Sequence, residues 1–201
     1  MPGAMSVDRK ALRAELRQCR RGIPAAQRIA AAQALAARLL ALPFAEQEGH
    51  VAGYWAMDGE IALHAWQLAL PSHLTYCLPV LHHDQRLRFA PWRPGEPLRA
   101  NRFGIPEPEV PDDVLLEARQ MRMIVLPLVG FDEHGRRLGM GAGWYDRSLA
   151  FRQRQAAPPW LVGAGFSAQR VDALESESWD VDLDAICTED ATHLTAGTTA
   201  A

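Results

Sequence analysis

The chain has 201 residues, 48% hydrophobic and 22% charged, a composition that suits one globular domain burying roughly 70% of its unfolded surface. Its formal net charge of -3 excludes a global attraction to nucleic acid or to an anionic membrane, so any phosphate binding must come from local groups. Cys19, Cys77 and Cys187 are scattered and odd in number, which argues against a disulfide framework or a cysteine zinc site and fits a reducing cytoplasm.

In chain order, Ser6 or Asp8 can cap a helix through about Arg21, with Leu12, Leu16 and Cys19 at i, i+4 and i+7 as its packed stripe. Arg9, Arg13, Arg17 and Arg20 form the neighbouring stripe. It reads either as a solvated basic face or as a phosphate clamp, because arginine's planar fork binds phosphate oxygens bidentately. Lys10 is the only lysine, so arginine must supply most of any such charge. Pro24 suits the first turn of a second helix, and the alanine-rich run to about Leu42 carries an apolar face including Ile29, Leu35 and Leu39. A strand from Val51 to Trp55 ends in the turn Met57-Asp58-Gly59, and Leu63, Trp66 and Leu70 follow at helical spacing. Glu60 lies just past the strand's end, where open α/β sheets bind ligands; a surface Glu60 beside a helix cap at Asp58 is the other reading.

Thr75 to Val80 and Leu87 to Trp92 are two further strands. His82-His83-Asp84 between them invites a metal reading, but three sequence neighbours with no further ligands at characteristic spacing fit a polar hairpin turn better. Arg93 to Pro111 is a Pro/Gly-rich connection of the length found in functional or mobile loops, and its Asn101 to Pro108 segment, NRFGIPEP, is suited to cover or line a site. A short helical segment is expected around Val114 to Arg119.

Apolar Ile124 to Val129 reads as a strand covered on both faces, and Trp144 to Arg154 as a helix. Between them stand Gly135, Gly139, Gly141 and Gly143. Alternate glycines permit positive φ and uncover backbone N–H groups, so the loop reads as a phosphate cradle at a helix N-terminus, or as a flexible turn with no ligand. Asp146 in the first helical turn is placed to hold a phosphate-bound Mg²⁺. No Gly-Lys-Ser/Thr follows the glycines and the full Rossmann fingerprint is missing, which implies nucleotide binding by another geometry.

After the break at Ala157-Pro158-Pro159, Trp160 to Phe166 form another strand. Asp180, Asp182 and Asp184 alternate along an extended segment and would share one side, as a cation site or a solvated acidic edge. A last apolar stretch, Ala185 to Thr188, closes a domain expected over residues 1–191; from Thr192 a disordered tail is expected. No apolar run approaches the roughly 18 residues needed to cross a bilayer, so a soluble, cytoplasmic protein is expected. Strands alternating with helices and loops imply a single three-layer α/β/α domain around a largely parallel sheet.

The stretch FDEHGRRLGMGAGWYDR, residues 131–147, closely resembles the signature of the 5-formyltetrahydrofolate cyclo-ligase (5,10-methenyltetrahydrofolate synthetase) family. RKALR at 9–13, YWAMDGEI at 54–61, NRFGIPEP and WDVDLDAICTED at 179–190 resemble its other motifs in matching order and spacing. The resemblance implies ATP-driven conversion of 5-formyltetrahydrofolate to 5,10-methenyltetrahydrofolate, with ADP and phosphate released and Mg²⁺ required. A formamide oxygen is a poor leaving group; phosphorylating it gives an imidate-like phosphate that the neighbouring amine can attack, so catalysis is mostly positioning and charge neutralisation.

The resemblance assigns ATP binding to Arg9, Lys10 and Arg13 and to the loop Arg137, Leu138, Gly139, Met140, Gly141, Ala142, Gly143, Trp144 and Tyr145. It assigns folate binding to Trp55 and Glu60, with Met140, Gly141, Ala142, Gly143 and Trp144 touching both ligands. Arg13, Arg137 and Asp146 take the catalytic roles, and the metal falls to Asp146 and Asp184, with Asp180 or Asp182 able to serve through water. Two departures bear on substrate preference: Ala142 replaces a glycine or lysine, and Trp144 a tyrosine or phenylalanine. The partners implied are ATP and a reduced folate, acting on a monomer without nucleic acid or membrane. Rival readings are a non-catalytic folate or nucleotide sensor on the same scaffold, and a sugar-phosphate isomerase or acyl-CoA transferase, whose catalytic base has no matching motif here.

Overall fold

The computed structural model describes residues 8–45 and 48–195. Helix α1 spans Arg9–Arg21 and α2 spans Ala25–Leu40. The Asp8 carboxylate accepts the Lys10 N–H at 2.8 Å and satisfies one of the donors that a helix start leaves open. Ser6, the other expected cap, lies outside the described residues. The inward line of α1 is Leu12, Leu16 and Arg20, at i, i+4 and i+8, while Cys19 is exposed, so the stripe expected to end on a thiol ends on a guanidinium. Arg20 is 0% exposed, and the expectation of a wholly solvated basic face fails there. Its burial is tolerable because it finds acceptors: it donates to the Asp58 carbonyl at 3.0 Å, the Leu128 carbonyl at 3.1 Å and the Asp58 carboxylate at 2.9 Å.

Leu35 and Leu39 of α2 are fully buried together with Ala31 and Ala36, but Ile29 is 64% exposed. Ile29 stands about 240° of helical rotation before Leu35, outside the stripe that faces the sheet.

The central sheet has seven strands in the order β11-β10-β9-β6-β1-β2-β3, where β1 is Gly49–Ala52, β2 Leu74–Leu81, β3 Leu87–Pro91, β6 Met121–Pro127, β9 Trp160–Ala164, β10 Ala185–Cys187 and β11 Thr192–Leu194. The five inner strands pair in parallel, and β3 and β11 close the edges antiparallel. Side-chain alternation divides the core. Val125 and Val162 pack with Leu35, Leu39 and Trp66 under α2 and α3 (His64–Ala69), while Ile124, Leu126 and Leu161 pack with Phe89 and Leu149 on the other face. This is the expected α/β/α layering around a mostly parallel sheet.

Several boundaries moved. β1 stops at Ala52, so the chain from Tyr54 to Glu60 leaves the sheet earlier than expected. The Arg93–Pro111 connection contains a small hairpin, β4 (Leu98–Ala100) with β5 (Pro106–Pro108), and the segment after it is two 3-10 turns, Asp112–Val114 and Ala118–Gln120. Thr192–Leu194 pair with β10, because edge backbone donors there find partners where a disordered tail was expected; the rest of that tail, 196–201, lies outside the described residues. His82 and Arg88 both bind Asp84, each at 2.9 Å, and no cluster of three metal-ligating side chains occurs among the described residues. No helix among them is long and apolar enough to cross a membrane.

Replacing buried Leu35 with Ala should lower stability by about 3 kcal/mol, whereas Ile29→Ala should stay within about 0.5 kcal/mol. Urea denaturation midpoints check the contrast.

Candidate active site

The carboxyl ends of β1, β2 and β6 open onto a cleft of about 530 Å³, lined by Tyr54 and Trp55, by Pro79 and Leu81, and by Pro127. A second cleft of about 580 Å³ lies beside it under Arg9 and Arg13 of α1. Arg137, Gly139, Gly141, Gly143 and Asp146 line both, so the glycine loop is their common wall.

Local geometry explains how one loop can do this. Gly130–Phe131 (β7) pairs with Arg137–Leu138 (β8), and Gly135, at φ +85°, makes the turn between them. A Cβ there would meet the Leu183 carbonyl at 2.9 Å, so Gly135 serves the hairpin and drops out of the expected cradle. Beyond β8, each remaining glycine faces an arginine. A Cβ on Gly139 would lie 3.9 Å from Arg137, on Gly141 3.6 Å from Arg13, and on Gly143 2.7 Å from Arg147. Gly141 at φ +94° and Gly143 at φ +69° also hold backbone conformations that a side chain disfavours. Gly143 caps α4, which is only Trp144–Leu149 and continues as a 3-10 turn over Ala150–Gln153. Such a short helix has little dipole, so the positive potential comes from guanidinium groups.

The α1-side cleft gathers Arg9, Arg13, Arg137 and Arg147 against Asp146, Glu177 and Asp180. Arg13 donates through Nε to the Gly139 carbonyl at 2.8 Å and ties α1 to the loop. Burial lowers the Arg13 pKa, and repulsion from Arg9 adds to this. Arg9 lies 3.5 Å from Asp180 and 3.9 Å from Glu177. Arg137 forms an ion pair with Asp146, while its Nε is buried with no hydrogen-bond partner among the described residues. An unused donor in the shared wall is unusual, since leaving one buried costs about 1–3 kcal/mol.

In the sheet-end cleft, Glu60 accepts the Met57 N–H at 2.9 Å and lies 3.8 Å from Arg20. Burial pushes the Glu60 carboxyl up, opposed by that N–H and by Arg20. Trp55, 38% exposed, stands edge-on to Trp92 with centroids 5.9 Å apart and leaves its ring available. Asn101, Phe103 and Ile105 from the β4–β5 hairpin line the same cleft, as the NRFGIPEP stretch led one to expect. Arg102 lies over the rings of both Phe103 and Trp144, at 5.1 and 5.3 Å, which links that hairpin to the start of α4.

Some expected site residues fall elsewhere. Met140, Ala142, Trp144 and Tyr145 line only the sheet-end cleft, and Leu138 is core, 0% exposed. Lys10 is exposed and lines neither cleft, because one residue after Arg9 the helix has turned by about 100°. Asp184 also lines neither. Arg152 binds both its oxygens at 2.8 and 2.9 Å and the Leu161 N–H donates to it at 2.7 Å, so a metal role there is set aside. Asp182 is exposed, and Asp180 is the acidic-segment carboxylate that lines the α1-side cleft with Asp146. Sequence reading missed Arg147 as a site residue; its position four residues after Gly143 places it back over the loop, where it donates to the Ala142 carbonyl at 3.0 Å.

A parallel-sheet α/β protein that presents two ligand-sized clefts to one arginine-lined glycine loop is the class that fold and site define. The chain belongs to the 5-formyltetrahydrofolate cyclo-ligase family, whose model matches residues 5–189. The 5-formyltetrahydrofolate cyclo-ligase of Haemophilus influenzae is 36% identical over 87% of this chain and 94% of its own, and that of Escherichia coli K12 is 35% identical over 86% and 96%. The 5,10-methenyltetrahydrofolate synthetase of Aquifex aeolicus superposes with a TM-score of 0.77 at 26% identity, covering 92% of each chain. The corresponding protein of Mycoplasma pneumoniae, at 22% identity and a TM-score of 0.71, covers 91% of this chain and 99% of its own and shares the fold.

The ion cluster beside the site carries a pH signature. Burial alone would raise the Asp58 carboxyl, but hydrogen bonds from Arg17 and Arg21, with the charges of Arg17 and Arg20, bring it from 3.8 down to about 2. A depressed folded-state pKa stabilises the fold above about pH 4, and that contribution is lost as pH falls toward 2. Asp58→Asn should therefore flatten the acid limb of urea midpoints measured between pH 2 and pH 6.

Proposed function

We propose that this protein catalyses the ATP- and Mg²⁺-dependent cyclisation of 5-formyltetrahydrofolate to 5,10-methenyltetrahydrofolate, with release of ADP and phosphate, and does so as a monomer. The observation that carries the reading is the shared wall: the same glycines, Arg137 and Asp146 face two clefts, as a group transfer between two bound substrates requires.

ATP fits the α1-side cleft, where Arg9, Arg13, Arg137 and Arg147 face its phosphates. Asp146 and Asp180 are carboxylates of the kind that bind Mg²⁺ together with phosphate oxygens, since Mg²⁺ commonly takes one or two carboxylates beside a nucleotide. Bound there, Mg²⁺ would supply charge neutralisation on the phosphates.

The reduced folate fits the sheet-end cleft, with Trp55 against the pterin face and the Glu60 carboxylate accepting its N–H donors. The formyl oxygen then attacks the terminal phosphorus, ADP leaves, and an imidate phosphate forms. Attack by the neighbouring folate nitrogen on the formyl carbon closes the ring, that nitrogen gives up its proton to water, and phosphate leaves with the former formyl oxygen. Arg137, whose unpaired Nε lies in the common wall, is positioned to stabilise charge on the phosphoryl group in transit.

Purified protein mixed with 5-formyltetrahydrofolate, ATP and Mg²⁺ should develop the absorbance of the methenyl product. A well-folded preparation that gives no ATP-dependent signal overturns the proposal, and folate binding without turnover would identify a sensor instead. Arg137→Met should lower kcat by about 100-fold or more. Asp146→Ala should remove most Mg²⁺-dependent turnover while folate still binds, whereas Glu60→Ala should weaken folate binding on the order of tenfold. Isothermal titration with each ligand separates those roles, and equal effects of both changes on ATP affinity would contradict them.

A further inference from the structure

Helix α1 touches both clefts. Its first half lines the α1-side cleft with Arg9 and Arg13, the latter donating to the Gly139 carbonyl at 2.8 Å. Its second half grips the turn from which Glu60 enters the sheet-end cleft. Arg17 donates to the Asp58 carboxylate at 2.6 Å, Arg21 binds its other oxygen, and Arg20 reaches both the carboxylate and the carbonyl of Asp58. The same Arg20 fork donates to the Leu128 carbonyl just past β6, where the chain turns into the glycine-loop hairpin.

Asp58, at φ +51°, holds a left-handed conformation that is uncommon outside glycine, and Gly59 follows at φ +79°. Two such residues in succession make a turn that is unfavourable unless its surroundings hold it. Arg17, Arg20 and Arg21 all hold it by the Asp58 carboxylate, and Arg20, which lines neither cleft itself, also holds the Asp58 backbone carbonyl. Arg28 reinforces it from α2, donating to the Arg20 carbonyl at 2.9 Å.

From this geometry we infer that Arg20 is a positioning residue for the folate site: it fixes the Asp58-Gly59 turn against α1 and so sets the place of the Glu60 carboxylate. The inference rests on the proposed function only in taking Glu60 as a folate ligand. The charged and titratable groups around that carboxylate are Arg20 and Arg17 from α1, Asp58 from the turn, and Tyr54 and Tyr145 from the cleft wall. Removing Arg20 takes away a cation that opposes the upward push of burial, so the Glu60 carboxyl should protonate at higher pH.

The test compares wild type, Arg20→Met, Arg20→Lys, Asp58→Asn and Glu60→Gln, with dissociation constants for 5-formyltetrahydrofolate and for ATP measured by calorimetry from pH 5 to pH 9. Arg20→Met should weaken folate binding on the order of tenfold with ATP affinity within about twofold, and should move the acid limb of folate binding to higher pH. Arg20→Lys, which restores charge without the fork, should recover part of the loss. In the Glu60→Gln background the Arg20 substitution should have no further effect on folate affinity. Should Arg20→Met not fold, Arg20→Lys and Asp58→Asn carry the same comparison, and unchanged folate affinity in both overturns the inference. Equal losses for folate and ATP, or an undiminished Arg20 effect in the Glu60→Gln background, assign Arg20 to general stability and overturn it as well. Wild-type protein that binds no folate defeats the proposed function itself, whereas folate binding that depends on Glu60 but not on Arg20 defeats only this inference.

Discussion

The site depends on a loop where two clefts meet and in which every second residue, Gly139, Gly141 and Gly143, carries no side chain. Gly139, Gly141 and Gly143 leave space on the loop, and Arg137, Arg13 and Arg147 occupy it with guanidinium groups. A single layer of main chain can then face a ligand on either side, which brings two clefts closer than packed side chains would permit. The parallel sheet supplies the rigid floor, because β6 delivers the chain to this point between two buried layers.

Charge is distributed to suit a polyanion while the chain as a whole remains acidic. The formal net charge of -3 hides a local gathering of four arginines, Arg9, Arg13, Arg137 and Arg147, in the α1-side cleft. Glu177 and Asp180 pair with Arg9 and Asp146 with Arg137, while Arg13 and Arg147 are held by backbone carbonyls, and the carboxylates limit the arginines' mutual repulsion. At the other end of α1, Arg17, Arg20 and Arg21 converge on Asp58. One helix therefore spends its basic residues in two directions, which a reading of its stripe as simply solvated or simply phosphate-binding would not separate.

The fold class and the glycine loop were legible before any coordinates. The apolar run beginning at Ile124 read as a doubly covered strand, and the alternate glycines before Asp146 read as a phosphate cradle or a flexible turn. Less was legible at helix ends and loop interiors. Arg20 was read among surface arginines because helical spacing states which residues share a line, not whether acceptors wait for them; the Asp58 and Leu128 carbonyls come from positions far along the chain. Alternation left Asp180, Asp182 and Asp184 as a cation site or a solvated edge, and the family resemblance gave Asp184 a metal role; in the structure Arg152 and the Leu161 N–H bind its carboxylate.

By itself the sequence determined the period of each element, the rigid strand, the loop of alternate glycines and the family to which their order belongs. Those properties are local, and a propensity or a missing Cβ is already present in the residue. Only the tertiary structure decided that Gly135 turns a hairpin while its three neighbours form a common wall, and that Tyr145 faces one cleft while Arg147 faces the other. It also decided which arginines meet a carboxylate and which meet a cleft. Burial and pairing depend on distances between residues remote in sequence, and no spacing along the chain contains those distances.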